Sequence, residues 1–187
     1  MLTNPAEIIK LLEDIKSNHH NCDEQYDSVV SKSNRVLMSK TNNTSLYGMF
    51  YPYDKMKNYL KYDGIIVEDK LKSDFVYYFD NEKLQLTVRN MDKNDVYHIY
   101  YYYIDSRIDL VWYSCKRRII CVVGFIEIMN EVKFRFVESD DYSALKSYKE
   151  FLFDDEKKEI KYTLFAQGFL PGNKDYVKTN TFKSIKY

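Results

Sequence analysis

The chain has 187 residues and carries 28 basic and 28 acidic side chains, so its formal net charge is zero. This balance argues against bulk electrostatic attraction to nucleic acid or to an anionic membrane. The length predicts a single domain over residues 1–187, and three cysteines are too few for a disulfide framework. We therefore expect a reduced, cytoplasmic protein.

Two further expectations concern membranes and processing. The N-terminal residues lack the basic segment and apolar core of a signal peptide. No run of apolar residues approaches the length of a transmembrane helix. The sequence therefore predicts neither a secreted protein nor a membrane-spanning one.

The N-terminal region predicts helices. Asn4 is a good N-cap, Pro5 suits the first helical position, and apolar residues then recur at helical spacing. This pattern predicts a first helix from Pro5 to Ser17. A second helix is favoured over residues 24 to 38, although Val29-Val30 and Val36 to Met38 also fit strand pieces.

Residues 39 to 74 contain weaker signals. Residues 39 to 45 have the composition of a loop, and Asp54 is placed to cap a short helix that ends near Lys61. Asp63-Gly64 predicts a turn, and a strand is expected to start at Ile65.

The stretch from Phe75 to Val137 contains six short segments rich in aromatic and β-branched residues, spaced about ten residues apart. Turns of three to six polar residues separate them, which leaves no room for the crossovers that parallel strands require. The pattern predicts an antiparallel β-meander.

Three elements are predicted after the meander. A helix is expected from Tyr142 to Phe153, and alternating apolar residues from Ile160 to Ala166 predict a late strand. Pro171-Gly172-Asn173 is a strong turn signal, and a final strand or a loose end follows it. The expected fold is α+β, an antiparallel β-meander of about six to eight strands with an N-terminal helix and one or two further helices packed on it.

Several residues have types that suit chemistry. His98, with an aspartate such as Asp95, Asp105 or Asp109, is a candidate general base. Cys115 precedes three cations, which can lower the pKa of a thiol, although an ordinary charged turn fits the same residues. Near the end of the first helix lie four residues with metal-ligand side chains, but no second cluster completes a site, so we expect no metal and no cofactor: His19, His20, Cys22 and Asp23.

The capped helix, the tyrosine- and aspartate-rich meander and the lack of a catalytic motif together resemble the small cytoplasmic immunity proteins of bacterial polymorphic toxin systems. The likeness covers the architecture of most of the chain and includes no specific motif. It implies a non-enzymatic module that occludes a protein partner such as a toxin domain. Tyrosine and tryptophan concentrate at binding hot spots, so the predicted contact residues lie on a tyrosine-rich sheet face and its turn: Tyr100, Tyr102, Trp112, Tyr113, Asp105 and Asp109.

Two other functions stay open. The chain could be a hydrolase or a nucleotide-modifying enzyme that uses His98 with a nearby aspartate. It could also be a sheet that binds a small ligand or single-stranded nucleic acid through Trp112, Tyr113 and the basic residues 116 to 118. The neutral overall charge argues against the nucleic-acid reading.

Overall fold

The structure, a computed structural model, describes residues 4–40, 67–68, 72–91, 95–130, 133–139, 145–154 and 159–183. Within these residues the fold is α+β, with two short α-helices and a ten-stranded antiparallel sheet. The strands follow one another in the sheet in the order in which they occur in the chain. The predicted antiparallel meander is therefore confirmed, but the predicted count of six to eight strands is too low.

The helical elements are α1 (Pro5–Asn18), a 3-10 helix (Cys22–Gln25) and α2 (Tyr26–Lys32). The strands are β1 (Arg35–Ser39), β2 (Phe75–Asp80), β3 (Lys83–Met91), β4 (Asp95–Ile104), β5 (Arg107–Ser114), β6 (Ile119–Asn130), β7 (Lys133–Ser139), β8 (Ser147–Asp154), β9 (Glu159–Leu170) and β10 (Lys174–Lys183). Neither described helix has the length and apolar character that a membrane crossing requires. The predicted helix at residues 54–61 and the strand start at Ile65 lie outside the described residues.

The first helix forms as the sequence predicts, because its cap and its apolar stripe agree. Asn4 Oδ1 accepts a hydrogen bond of 3.0 Å from the backbone N–H of Ala6, and Pro5 occupies the first helical turn. The helix buries one face, made of Ile8, Ile9, Leu12 and Ile15.

The prediction of one helix over residues 24 to 38 is wrong in its second half. Helix α2 ends at Lys32, and residues 35 to 39 form β1, which pairs antiparallel with β2. Val36 lies opposite Tyr78 and Met38 opposite Val76. Cross-strand pairing, which has no local sequence signal, decides between the helical and extended readings of this segment.

The prediction of a helix from Tyr142 to Phe153 is also wrong. Residues 147 to 154 form β8, which pairs antiparallel with β7 on one side and β9 on the other. Hydrogen bonding to two neighbouring strands overrides a helical spacing of apolar residues. The predicted strand from Ile160 to Ala166 is confirmed and extended, because β9 continues to Leu170.

The chain divides into two compact units. One comprises Met1–His20, Tyr103–Val111 and Ile120–Tyr187, and the other comprises Asn21–Tyr102 and Trp112–Ile119. The first unit contains α1 and β7 to β10, and the second contains α2 and β1 to β3. The single domain over residues 1–187 stays a prediction.

A buried arginine lies in the core of the first unit. Arg135 on β7 is paired with Glu127 at 3.2 Å and with Glu150 at 2.5 Å, and its guanidinium lies 5.7 Å from the ring centroid of Phe125. Arg135 and Glu127 are opposite each other on β7 and β6. Because a buried charge requires a partner, the two carboxylates make this position possible.

Candidate functional site

The tyrosines of β4 pack inside the second unit. Alternate side chains of β4 lie on one face of the strand, and His98, Tyr100 and Tyr102 share that face. The ring of Tyr26, the first residue of α2, stacks on His98 with centroids 4.6 Å apart. The Tyr100 hydroxyl lies 3.3 Å from His98 Nδ1. We call these four residues with Tyr113 the tyrosine cluster.

Two hydrogen bonds hold the 3-10 helix to this cluster. Tyr102 donates a hydrogen bond of 3.2 Å to Gln25 Oε1, and Tyr113 on β5 donates one of 3.0 Å to Asp23 Oδ2. Cys22, which precedes both acceptors in the chain, is fully buried. The segment from Cys22 to Tyr26 therefore uses the polar atoms and ring faces that the sequence had suggested for a partner.

The titratable groups of the cluster are held in their neutral forms. Burial is the main cause that raises the pKa values of Tyr100 and Tyr102. Burial, followed by the charge of Asp23, raises the pKa of Cys22 to about 12. Burial lowers the pKa of His98. Desolvation of the charged forms explains these directions, so the cluster is a neutral, hydrogen-bonded core.

The six predicted contact residues differ in exposure. Tyr100, Tyr113 and Asp109 are buried, Tyr102 and Trp112 are half-buried, and Asp105 is exposed in the turn between β4 and β5. An exposed face containing Tyr100 and Tyr113 is therefore not what the fold presents, because residues 22 to 26 pack against the tyrosines. A role in partner binding stays a prediction for all six residues.

Asp95, one of the aspartates suggested as a partner of His98, contacts a different residue. His98 contacts Tyr26 and Tyr100, whereas Asp95 accepts hydrogen bonds from the hydroxyl of Ser114 at 3.2 and 3.3 Å. Asp95 and His98 are three residues apart on one strand, so they point to opposite faces. The sequence had placed an acid near this histidine, but the strand separates them.

A histidine and an aspartate do meet elsewhere, in the first unit. His19 Nε2 lies 3.9 Å from Asp109 Oδ2, and Arg107 donates hydrogen bonds of 2.6 and 3.3 Å to the same carboxylate. Asp109 is buried and no nucleophile is among these contacts. The arrangement links the end of α1 to β5.

The basic turn after β5 does not activate Cys115. Burial, with the charges of Asp95 and Asp23, raises the pKa of the Cys115 thiol, which is opposite to the lowering that adjacent cations could produce. The charged side chains from Lys116 to Arg118 are exposed. Tyr113, which the nucleic-acid reading would use for stacking, is buried against Asp23.

The residues with metal-ligand side chains have other partners. Asp23 accepts the hydrogen bond of Tyr113, and His20 Nδ1 lies 2.8 Å from the carbonyl oxygen of Ser17. In the described part of the chain, no group of three or more histidine, cysteine, aspartate or glutamate side chains is arranged to hold a metal ion.

A cavity of about 350 Å³ lies in the second unit. Its lining is partly polar and partly apolar and consists of Gln25, Ser28, Val29, Lys32, Asp80 and Gln85.

The hairpin of β9 and β10 presents apolar side chains to solvent. Strand β8 begins at Ser147, opposite Ala166, so β9 extends beyond β8 toward its turn. Phe169, in that extension, is 71% exposed, which is the highest value among the exposed large hydrophobic residues described. Leu170 at 39% and Val177 at 60% lie nearby on the same hairpin. We call residues 166 to 178 the hairpin tip.

A bulge positions Phe169. Ala166 pairs with Tyr176 and Leu170 pairs with Lys174, so the three residues 167 to 169 oppose the single residue Asp175. Gly168 lies in the bulge with φ of +63°, and its N–H donates a hydrogen bond of 2.9 Å to Asp175 Oδ1. Bulges redirect side chains, and here the ring of Phe169 comes to lie 5.8 Å from that of Tyr176.

Phe169 is not among the contact residues predicted from the sequence, although two local signals for its exposure are present. Gly168 interrupts the alternation of β9, which is typical of a bulge, and the predicted turn at Pro171-Gly172-Asn173 places Phe169 next to a hairpin end. What the sequence could not supply was the register, which sets where β8 stops. Comparisons with protein families, with curated proteins and with solved structures find no match to this chain.

Proposed function

We propose that this chain is a non-enzymatic protein-binding module that recognises its partner through the hairpin tip. The observation that carries the proposal is the exposure of Phe169, a large aromatic ring held in place by a bulge and a hydrogen bond. Aromatic side chains bury a large area on binding at a small entropy cost, and they dominate hot spots. Leu170 and Val177 add apolar area beside it.

The resemblance to immunity proteins supports a toxin domain as the partner. Such a module needs no reaction chemistry, because it neutralises an enzyme by covering it. The neutral tyrosine cluster fits this function as a rigid core. Tyr102, Trp112 and Asp105, as half-buried or exposed residues, are further contact candidates in this proposal.

The test begins with the tagged protein as bait in an extract of its native host. A partner protein that is recovered in the same molar amount as the bait is purified. Its affinity is then measured for the wild-type chain and for the variants Phe169→Ala and Leu170→Ala. Loss of a hot-spot side chain is expected to weaken binding by about 30-fold, which corresponds to about 2 kcal/mol. Ile104→Ala is the matched control for Leu170, because Ile104 is 42% exposed on β4.

Two results would contradict the proposal. The first is an unchanged affinity in both hairpin variants, which would exclude the hairpin tip as the contact surface. The second is turnover of a substrate by the purified chain, which would exclude a non-enzymatic module. For the toxin reading, the partner domain expressed alone is expected to arrest growth, and co-expression of this chain is expected to restore it.

A further inference from the structure

We infer that β10 is an acceptor edge for an added strand, and that the strand it accepts comes from a partner protein and alternates apolar with acidic residues. The inference rests on the proposed function, because it names the partner chemistry and the binding mode of the same hairpin. It differs from recognition by the tip alone, since main-chain hydrogen bonds would contribute affinity along the whole strand.

The two ends of the sheet differ in how far they are occupied. At one end, the carbonyl oxygen of Met38 in β1 already accepts a hydrogen bond of 3.0 Å from the N–H of Val67. At the other end, β10 pairs with β9 along its length, and no described backbone group bonds to its outer side. An unpaired strand edge is a template for another strand. Among the described residues, the open edge is therefore that of β10.

One face of the sheet explains the apolar half of the pattern. Tyr148 on β8 lies opposite Phe165 on β9, their rings stack at 5.2 Å, and Phe165 lies opposite Val177 on β10. Tyr148 and Phe165 are buried, whereas Val177 is 60% exposed. This apolar row therefore ends in solvent at the sheet edge. A further strand, about 4.8 Å away, would continue the row with an apolar side chain beside Val177.

The other face explains the acidic half. Side chains alternate along a strand, so Lys174 and Lys178 share the face opposite to Val177, and both are exposed. Acidic residues on the added strand would lie beside these two lysines. Cross-strand pairs of opposite charge stabilise a sheet, and directly opposed like charges destabilise it.

The same lysines act against a second copy of this chain as the occupant. Antiparallel pairing of two β10 strands centred on Tyr176 would place Lys174 of one copy opposite Lys178 of the other. Lysines on an edge strand commonly block such self-association. They would select an acidic strand for the same electrostatic reason.

The test uses the purified full-length chain and two synthetic peptides of about ten residues, the length of β10. One peptide alternates valine with glutamate, and the other alternates valine with lysine. Amide hydrogen exchange of β10 is followed at peptide concentrations up to about 1 mM, the weak end of specific affinities. We expect slower exchange along β10 with the acidic peptide and no change with the basic one.

Charge reversal sharpens the test. Lys174→Glu and Lys178→Glu are each expected to weaken binding of the acidic peptide by about two- to fivefold, the range of exposed ion pairs. The double variant is expected to prefer the basic peptide. Lys10→Glu, an exposed position on α1, makes the same change in net charge and is expected to leave the preference unchanged. Circular dichroism checks that each variant keeps its sheet.

Several outcomes would overturn the inference. The first is that neither peptide slows amide exchange of β10, and the second is that both peptides slow it equally. The third is that Lys10→Glu changes peptide binding as much as Lys174→Glu or Lys178→Glu does. Protection of β10 that depends only on protein concentration would identify a second copy, and protection by an oligo-dT strand would identify nucleic acid. A cellular partner that binds without slowing exchange of β10 would refute strand addition while leaving the protein-binding function intact.

Discussion

The hydroxyl of Tyr113 on β5 donates a 3.0 Å hydrogen bond to the carboxylate of Asp23 in the 3-10 helix, and the two residues are 90 positions apart in the chain. A hydrogen bond to a charged acceptor contributes about 1.5–3 kcal/mol. We therefore expect Tyr113→Phe to lower the free energy of unfolding by about that amount in urea titrations. A change below about 0.5 kcal/mol, the usual size for surface substitutions, would contradict this.

A control for Tyr113→Phe is available on the hairpin. Tyr176 is half-buried and its hydroxyl makes no hydrogen bond among the described residues, so Tyr176→Phe is expected to change stability by less than about 0.5 kcal/mol. Combining Tyr113→Phe with Asp23→Ala, which removes the acceptor, completes a double-mutant cycle. The two changes are expected to be non-additive, because each removes the same hydrogen bond.

His98 predicts a dependence of stability on pH. Burial lowers the pKa of His98 in the folded protein below its ordinary value of about 6.5. As the pH falls below about 6.5, the unfolded chain binds a proton that the folded chain does not, so stability decreases until the folded pKa is reached. The slope from this one group is at most about 1.4 kcal/mol per pH unit.

The measurement compares urea midpoints of the wild type and His98→Phe at several pH values from about 7 to about 5, a range that spans the ordinary histidine pKa of about 6.5. Phenylalanine keeps an aromatic partner for the ring of Tyr26. The variant is expected to lose stability less steeply in acid than the wild type. His20→Gln serves as the control, because His20 is exposed. Parallel pH profiles of the wild type and His98→Phe would refute the prediction.

Arg135 is expected to be among the most sensitive positions in the first unit. Arg135→Ala leaves Glu127 and Glu150 without the cation that they share, which is expected to cost about 3–5 kcal/mol of unfolding free energy. Replacing all three residues together with apolar side chains of similar volume is expected to recover most of that loss. Thermal and urea denaturation measure the stability of the Arg135→Ala variant and of the triple variant. Equal losses in the two variants would show that packing, and not the unpaired charges, is responsible.

Gly124 on β6 is expected to tolerate no larger residue. A Cβ atom at this position would lie 2.5 Å from the carbonyl oxygen of Val137, a backbone atom of the neighbouring strand. Gly124→Ala is therefore expected to destabilise the protein by about 1–3 kcal/mol. Gly168→Asn is the contrasting change. The φ of Gly168, +63°, suits asparagine, and apart from its chain neighbours no described atom lies within 4 Å of a Cβ added there. The melting temperature of Gly168→Asn is therefore expected to stay nearly unchanged. If Gly124→Ala proved as stable as the wild type, the close approach of the two strands would be contradicted.

Local patterns were sufficient where one signal dominated. The cap at Asn4 and the apolar stripe of α1 agreed, and the alternation of Leu84, Leu86 and Val88 identified β3. Local patterns failed to predict the structure of segments whose conformation depends on pairing with distant strands. Val36 to Met38 fit a helix or a strand equally well, and residues 147 to 153 were predicted as part of a helix. Pairing with β2, β7 and β9 makes both segments strands.

The functional surface was harder to predict than the fold, for a physical reason. The tyrosines of β4 are indistinguishable in sequence from an exposed binding face. Their burial depends on Cys22 to Tyr26, more than 70 residues earlier in the chain. Conversely, Phe169 looks like an ordinary strand residue, and its exposure depends on the bulge at Gly168 and on where β8 begins. The burial of the β4 tyrosines and the exposure of Phe169 therefore both depend on contacts between residues that are far apart in the chain.

The order of the strands also bears on synthesis of the protein. Because every strand pairs with a neighbour in the chain, each hairpin can close as the nascent chain leaves the ribosome. Strand β10 is synthesised after the other nine described strands, and until it pairs, β9 forms the edge of the sheet. A product terminated before Lys174 would retain the row of Tyr148 and Phe165 without the lysines that follow it. Termination between β9 and β10 would therefore yield a sheet whose β9 edge is prone to aggregation.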